Sequence, residues 1–246
     1  MINAALEGLK VAFIVTSHAT MGTNPDAEAT GVWLEELTTP YYHLADAGLD
    51  IDVFSISGGP IPIDPRSLKP AGENDESVER YLADDGLRLV FAGTPPVTEV
   101  TTADYDVVFL PGGHGTMWDD PESEPLRLIV EEALTSDMVT ASVCHGPAGL
   151  TTARAPDGTS LLAGRRVSAF TNSEEDAAGF TDVVPFLLET RLRELGADYV
   201  SGPDFAPFAV RDGWLVTGQN PASAARVSEL VLEALQERAV LHAAAE

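Results

Sequence analysis

Cysteine is almost absent: Cys144 is the single one in 246 residues. One thiol cannot close an intramolecular bridge, so a disulfide scaffold is excluded. Lysine is nearly as scarce, with only Lys10 and Lys69. Lys plus Arg is 14 against 39 Asp plus Glu, a formal net charge of −25. A surface of that sign repels phosphate backbones and anionic headgroups, which argues against nucleic acid and membrane partners. No run of eighteen apolar residues occurs, so no transmembrane helix is expected. The opening residues 1–7 lack a basic region before an apolar run, so no signal peptide is expected and the expected address is the cytoplasm. What is present is ordinary for a soluble globular chain: 44% hydrophobic and 22% charged residues. The length suits one large domain, 1–246, with an elaborated region at about 57–100.

Apolar runs and helical periodicity alternate along the chain. Residues 9–15, 51–55, 105–110, 138–143, 166–170 and 214–217 read as strands. Residues 31–47, 121–135, 185–195 and 221–238 read as helices, with Gly48 as a stop signal. Residues 57–78 carry Gly, Pro, Asp and Glu with little periodicity, followed by a short helix at 76–83. A long irregular stretch in a compact domain is functional or mobile. Strands alternating with helices predict an α/β fold built on a mainly parallel sheet.

Such sheets place their sites just beyond the carboxyl ends of the strands. Three predicted strand ends carry unusual residues: Gly112, Gly113, His114 and Gly115; then Cys144, His145 and Gly146; then Glu174 and Glu175. Cys144 follows a buried strand and is flanked by small residues, Ser142 two before and Gly146 two after. That is the steric requirement of a nucleophile elbow, and a thiol at the start of a following helix would be stabilised as thiolate. The alternative is a buried cysteine acting as a small hydrophobe. Glu35 and Glu36 lie about 100° apart on a helix, so only one can point at a site. Glu174, Glu175 and Asp176 read either as partners of a histidine or as an acidic helix start. His114 reads as a substrate contact or a turn residue, and Trp118 as a pocket wall or a helix-start residue. His18, His43 and His242 read as surface or structural.

The runs Phe-Leu-Pro-Gly-Gly-His-Gly-Thr at 109–116 and Val-Cys-His-Gly-Pro at 143–147 resemble the PfpI family of the class I glutamine amidotransferase-like superfamily. Three more segments fit: Thr-Gly-Val-Trp-Leu-Glu-Glu at 30–36, Phe-Thr-Asn-Ser-Glu-Glu at 170–175, and Val-Thr-Gly-Gln-Asn-Pro-Ala-Ser-Ala at 216–224. Together they resemble the branch of heat-shock chaperones with glyoxalase III activity, related to the parkinsonism-associated protein deglycase. The resemblance runs from about residue 9 to about residue 237. It implies a flavodoxin-like three-layer α/β/α sandwich and a homodimer. It implies Cys144 as nucleophile, His145 as its proton partner, Glu175 as the acid orienting the histidine, and Glu36 as a carboxyl group beside the sulfur. The Gly112–Gly113 turn, with His114, would line the oxyanion and substrate site.

The activity so implied is cofactor-independent conversion of a 2-oxoaldehyde to a 2-hydroxy acid, in detoxification or stress. A Cys–His–Glu set is also an amidase or peptidase template. A holdase chaperone, or a stress protein sensing oxidation through an exposed low-pKa thiol, are readings of other classes. The downstream His-x-Glu element of glutamine amidotransferases is missing, so glutamine hydrolysis is not expected. No two histidines stand at i, i+4 and no Cys/His cluster occurs, so no functional metal is expected. The glycines at 112, 113 and 115 do not match a dinucleotide fingerprint.

Overall fold

The computed structural model describes residues 6–244. The expectation about a signal peptide falls partly on residues 1–5, which lie outside these. The strands are β1 (Lys10–Val15), β2 (Asp50–Ser55), β3 (Val107–Leu110), β4 (Val139–Val143), β5 (Arg166–Val167), β6 (Asp198–Tyr199), β7 (Ala209–Asp212) and β8 (Leu215–Gly218). The helices are α1 (Leu34–Asp46), α2 (Glu76–Leu82), α3 (Asp85–Phe91), α4 (Thr116–Asp119), α5 (Glu124–Thr135), α6 (Asn172–Ala178), α7 (Leu188–Glu194) and α8 (Ala224–Ala243).

Six strands form one sheet in the order β2-β1-β3-β4-β8-β7. All neighbours are parallel except β7, which runs antiparallel to β8 at the edge. Parallel strands buried on both faces need apolar residues at nearly every position, and β1, β3 and β4 supply them. Val11, Phe13 and Val15 face one cluster with Val107 and Phe109, against α1, α2, α3 and α8. Ile14, Val108 and Leu110 face the other, against α5 and α7. This is the expected layered α/β/α arrangement. The chain runs from β1 outward to β2, then restarts on the other side of β1 with β3. That reversal opens a crevice at the carboxyl ends of β1 and β3.

Three elements differ from expectation. The strand predicted at 166–170 is only two residues long and pairs with β6 in a separate two-stranded sheet. Beyond it the backbone is taken by other partners: the Ser168 N–H donates to Thr217 Oγ1, and the Phe170 N–H to the Cys144 carbonyl. The segment 57–100 is more ordered than its composition suggested. Asp64, Asp75 and Asp84 each cap a short turn or helix there by accepting from a backbone N–H. Finally, the chain after Cys144 enters a 3₁₀ turn, Gly146–Leu150, rather than an α-helix. The helix dipole expected to stabilise a thiolate is therefore missing at this point.

Candidate active site

Cys144 has φ of 60°, one of two non-glycine residues with positive φ among those described. The left-handed region is sterically costly for a residue with a Cβ. The turn holds because its neighbours are small. A Cβ on Gly146 would collide with the Leu110 carbonyl, and Ser142 Oγ donates to that same carbonyl. The Cys144 N–H donates to the Gly218 carbonyl at 2.9 Å. The sulfur is thus fixed at the end of β4.

His145 follows, 1% exposed, with Nδ1 3.3 Å from the Cys144 sulfur and Nε2 2.7 Å from Glu175 Oε2. Glu175 lies in the first turn of α6, whose start is set by a capping box between Thr171 and Glu174. Glu174 is itself buried, and its Oε1 accepts from Phe205 N–H, Gln219 and Asn220. It anchors the neighbouring loops, while Glu175 faces the histidines. Burial works against ionisation of Glu175, but the adjacent His145 and hydrogen bonds from His114 and His145 outweigh it and hold the carboxyl well below the usual range. An ionised Glu175 only accepts, so both histidines donate to it through Nε2–H. The lone pair of His145 Nδ1 then points at sulfur.

Glu36, on α1, is fully buried, whereas Glu35 is half-buried. Glu36 Oε2 accepts from the Gly112 N–H at 2.9 Å. Its Oε1 has no hydrogen-bond partner of normal geometry, and the Cys144 sulfur lies beside the carboxyl. Burial pushes Glu36 well above the carboxylate range. Protonation turns the orphaned oxygen into a donor aimed at sulfur. Burial also pushes the Cys144 thiol up, and a charged Glu36 adds to that. The thiol is 4% exposed, so the exposed, low-pKa sensor thiol considered above is not what the fold provides.

The Gly112–Gly113 turn needs its glycines. A Cβ at Gly112 would sit 2.5 Å from Glu36 Oε2 and 2.7 Å from the His145 nitrogen. Gly113 has φ of 106° and packs directly on the backbone of Gly31 and Trp33. The N–H groups of Gly113 and His145 donate to no acceptor among the described residues.

His114 is buried, and its Nε2–H donates to Glu175 Oε1 at 2.8 Å. Burial, with His145 alongside, lowers it to about 4, so it is neutral near pH 7. His114, His145 and Glu175 bring their donor atoms within 4.8 Å of one another. The reading that expected no metal looked for sequence spacing and missed this cluster, which three distant strand ends assemble. Each nitrogen faces its own carboxylate oxygen at hydrogen-bond distance, 2.7–2.8 Å.

Above the sulfur lies a cavity of about 280 Å³ walled by Trp33, Phe170, Phe180 and Phe205. Arg66 also lines it. Sequence reading missed Arg66, Phe180 and Phe205, which come from segments without periodicity. Trp118 is not in this wall; it stacks on His18, ring centroids 5.2 Å apart. His43 is exposed on α1 and His242 exposed on α8. A larger cavity between α5 and β8 lies at the opposite, amino end of β4 and holds none of these groups.

A strained cysteine at a parallel strand end, backed by His and Glu, matches the residues 28–234 that fit the DJ-1/PfpI family. The chain belongs to the DJ-1/PfpI family. Within it, the chain is 31% identical over 223 residues to the glutathione-independent glyoxalase HSP31 of Saccharomyces cerevisiae, covering 86% of this chain and 92% of that one. The crystal structure of glyoxalase III from Candida albicans superposes with a TM-score of 0.83 at 29% identity, over 92% of this chain and 97% of that one. The Rapid Encystment Protein 24 kDa of Francisella tularensis superposes with a TM-score of 0.87 at 37% identity, over 92% and 99%. No helix among the described residues is long and apolar enough to cross a membrane.

Proposed function

We propose that this DJ-1/PfpI chain is a glutathione-independent glyoxalase converting a 2-oxoaldehyde such as methylglyoxal to a 2-hydroxy acid. The observation that carries this reading is the Cys144–His145–Glu175 chain with the buried Glu36 carboxyl beside the same sulfur. The similarity to proteins named as glyoxalases supports it.

Cys144 loses its proton to His145 and its sulfur adds to the aldehyde carbon; the proton then passes from His145 to the alkoxide, giving a hemithioacetal and leaving His145 neutral. The oxygen of the former aldehyde accepts from the Gly113 and His145 N–H groups. A base, His145 or ionised Glu36, takes the hydrogen from that carbon, and the electrons move to form an enediol with the neighbouring carbonyl. Reprotonation at the neighbouring carbon leaves a thioester. Water cleaves it, releasing the 2-hydroxy acid and restoring the thiol. The Cys144 thiol stands where glutathione would otherwise be needed. Glu175 holds the His145 ring in one tautomer throughout.

The cavity favours this over peptide hydrolysis: about 280 Å³ walled by four aromatic rings fits a small molecule rather than an extended chain. A homodimer in the cytoplasm is the expected setting from the family and from a lone reduced thiol. The test is lactate formation from methylglyoxal without glutathione, beside Cys144→Ala. Cysteine-dependent lactate supports the reading. A wild-type protein that makes none, while Cys144 still reacts with iodoacetamide, overturns it in favour of amide or peptide substrates.

A further inference from the structure

The reaction above has an unmet requirement, and the inference that follows rests on that reading. When the hydrogen leaves the former aldehyde carbon, its bonding pair forms a carbon–carbon double bond. The π electrons of the adjacent ketone then move onto the ketone oxygen. The Gly113 and His145 N–H groups serve the first oxygen only. The second oxygen, where the charge accumulates, needs an electrophile of its own.

We infer that Arg66 supplies it, and so selects substrates with two adjacent carbonyls over simple aldehydes. Arg66 is the only lysine or arginine among the described residues that line the cavity. The neighbouring His114 is neutral near pH 7, so it brings no competing positive charge.

The guanidinium is held from behind. Arg66 Nε donates to Asp64 Oδ1 at 2.9 Å and Nη2 to Asp64 Oδ2 at 2.5 Å. Asp64 is fully buried and also accepts from Thr30 Oγ1 at 2.8 Å. One face of the guanidinium packs over the Phe180 ring, 4.5 Å from its centroid. Nη2 faces His114 Nδ1 at 3.5 Å, which ties the cation to the histidine–glutamate cluster. Nη1 has no hydrogen-bond partner among the described residues and makes only a loose ion pair with the exposed Glu28, 4.0 Å away. A two-point clamp with one nitrogen left over is the form expected of a preorganised electrophile.

The experiment compares wild type with Arg66→Gln, Arg66→Lys and the double variant Arg66→Gln/Asp64→Asn, which leaves no buried carboxylate unpaired. Three readouts are taken: lactate formation from methylglyoxal, the rate of Cys144 alkylation by iodoacetamide, and protection of Cys144 from alkylation by propanal. Propanal has one carbonyl and reports thiol addition alone. The expected result is a loss of about 100-fold or more in kcat in both glutamine variants. Propanal protection and the alkylation rate stay within about twofold, and Arg66→Lys recovers part of kcat. Two results overturn the inference: retained lactate formation in the double variant, or loss of propanal protection in step with kcat, which would make Arg66 structural. A wild-type protein inactive on methylglyoxal removes the glyoxalase reading itself, and the role of Arg66 with it.

Discussion

His114 and His145 lie with ring centroids 4.1 Å apart and donate to opposite oxygens of one carboxylate, Glu175. The two rings come from different strand ends, 31 residues apart, and each is tied to its own carboxylate oxygen. Glu175 has both oxygens occupied, so its rotamer is fixed, and His145 is fixed with it.

His114 makes the folded state sensitive to acid. Its folded-state value of about 4 lies below the ordinary histidine value. The unfolded chain therefore binds a proton first, and stability falls as pH drops from about 6.5 to about 4. One group over that window amounts to about 3 kcal/mol. His114→Phe keeps the aromatic packing against Phe180 and removes the titration. Denaturant melts between pH 7 and 4 should show a shallower loss in the variant. Parallel curves would mean that His114 does not carry the acid sensitivity.

Glu175→Gln replaces one acceptor by an NH₂ group facing a histidine N–H. Glu175 sits below the usual carboxylate range when folded. Its contribution is thus present above the unfolded carboxylate pKa and lost as pH falls through the folded value. At pH 7 the variant should lose about 3 kcal/mol, since two buried donors compete for one acceptor. Lactate formation should fall by about 100-fold or more as His145 loses its tautomer. Unchanged turnover with an intact melt would remove Glu175 from the relay.

Glu36→Gln separates two roles of the buried carboxyl. The amide can still accept from the Gly112 N–H and donate to sulfur, but it exchanges no proton. Turnover should drop by about 10²–10⁴-fold if Glu36 moves a proton. The fold should be as stable as wild type, or more stable at high pH. A buried acid with a raised pKa contributes fully below its unfolded value and loses stability as pH rises. Unchanged turnover would reduce Glu36 to a wall of the pocket.

The elbow was legible because its requirements are local: a thiol between small residues at the end of an apolar run. Glu36 was half-legible, since helical phase narrowed two glutamates to one, and burial decides which. The histidine–glutamate cluster was less so, because His114 and Glu175 are 61 residues apart and meet only through sheet order. Arg66 was silent: the segment around it has no periodicity, and its meaning comes from Asp64 behind and Phe180 beside it. The strand expected at 166–170 failed for a tertiary reason, since the backbone of Ser168 and Phe170 bonds to Thr217 and Cys144 instead of a neighbouring strand.

The glycine turn gives a test in which space and conformation are distinguished. A methyl group at Gly112 would meet Val143 carbonyl oxygen at 2.6 Å as well as Glu36 and His145. These are backbone and buried atoms that cannot step aside. Gly158, unlike Gly112, has a positive φ, 85°, and nothing lies within 4 Å of its missing Cβ. Gly158→Ala should cost about 1 kcal/mol from φ alone and leave turnover intact. Gly112→Ala should abolish turnover and lower stability by several-fold more. Equal melts for the two variants would show that the turn yields more readily than its contacts indicate.

Away from the site, Asp120 follows α4 with 1% exposure, and neither carboxyl oxygen has a hydrogen-bond partner. Burial, and then the charge of Asp119 beside it, raise it well above the ordinary aspartate value. Asp119 accepts from Thr16 Oγ1 and the Ser17 N–H, each at 2.7 Å, and so is anchored to the end of β1. Asp120 has no such donors, and only its protonated form gains a bond, to Asp119, so its ionised form is uncompensated. The folded state keeps the proton longer than the unfolded chain does. Stability is therefore complete below the unfolded aspartate pKa and declines as pH rises toward the folded value. Asp120→Asn removes that decline. The variant should match wild type near pH 4 and exceed it by about 1–3 kcal/mol at pH 8, a rise of about 2–10 °C in Tm for a chain of this size. A variant less stable at every pH would mean that the bond from the protonated carboxyl to Asp119 outweighs burial and that the amide does not replace it.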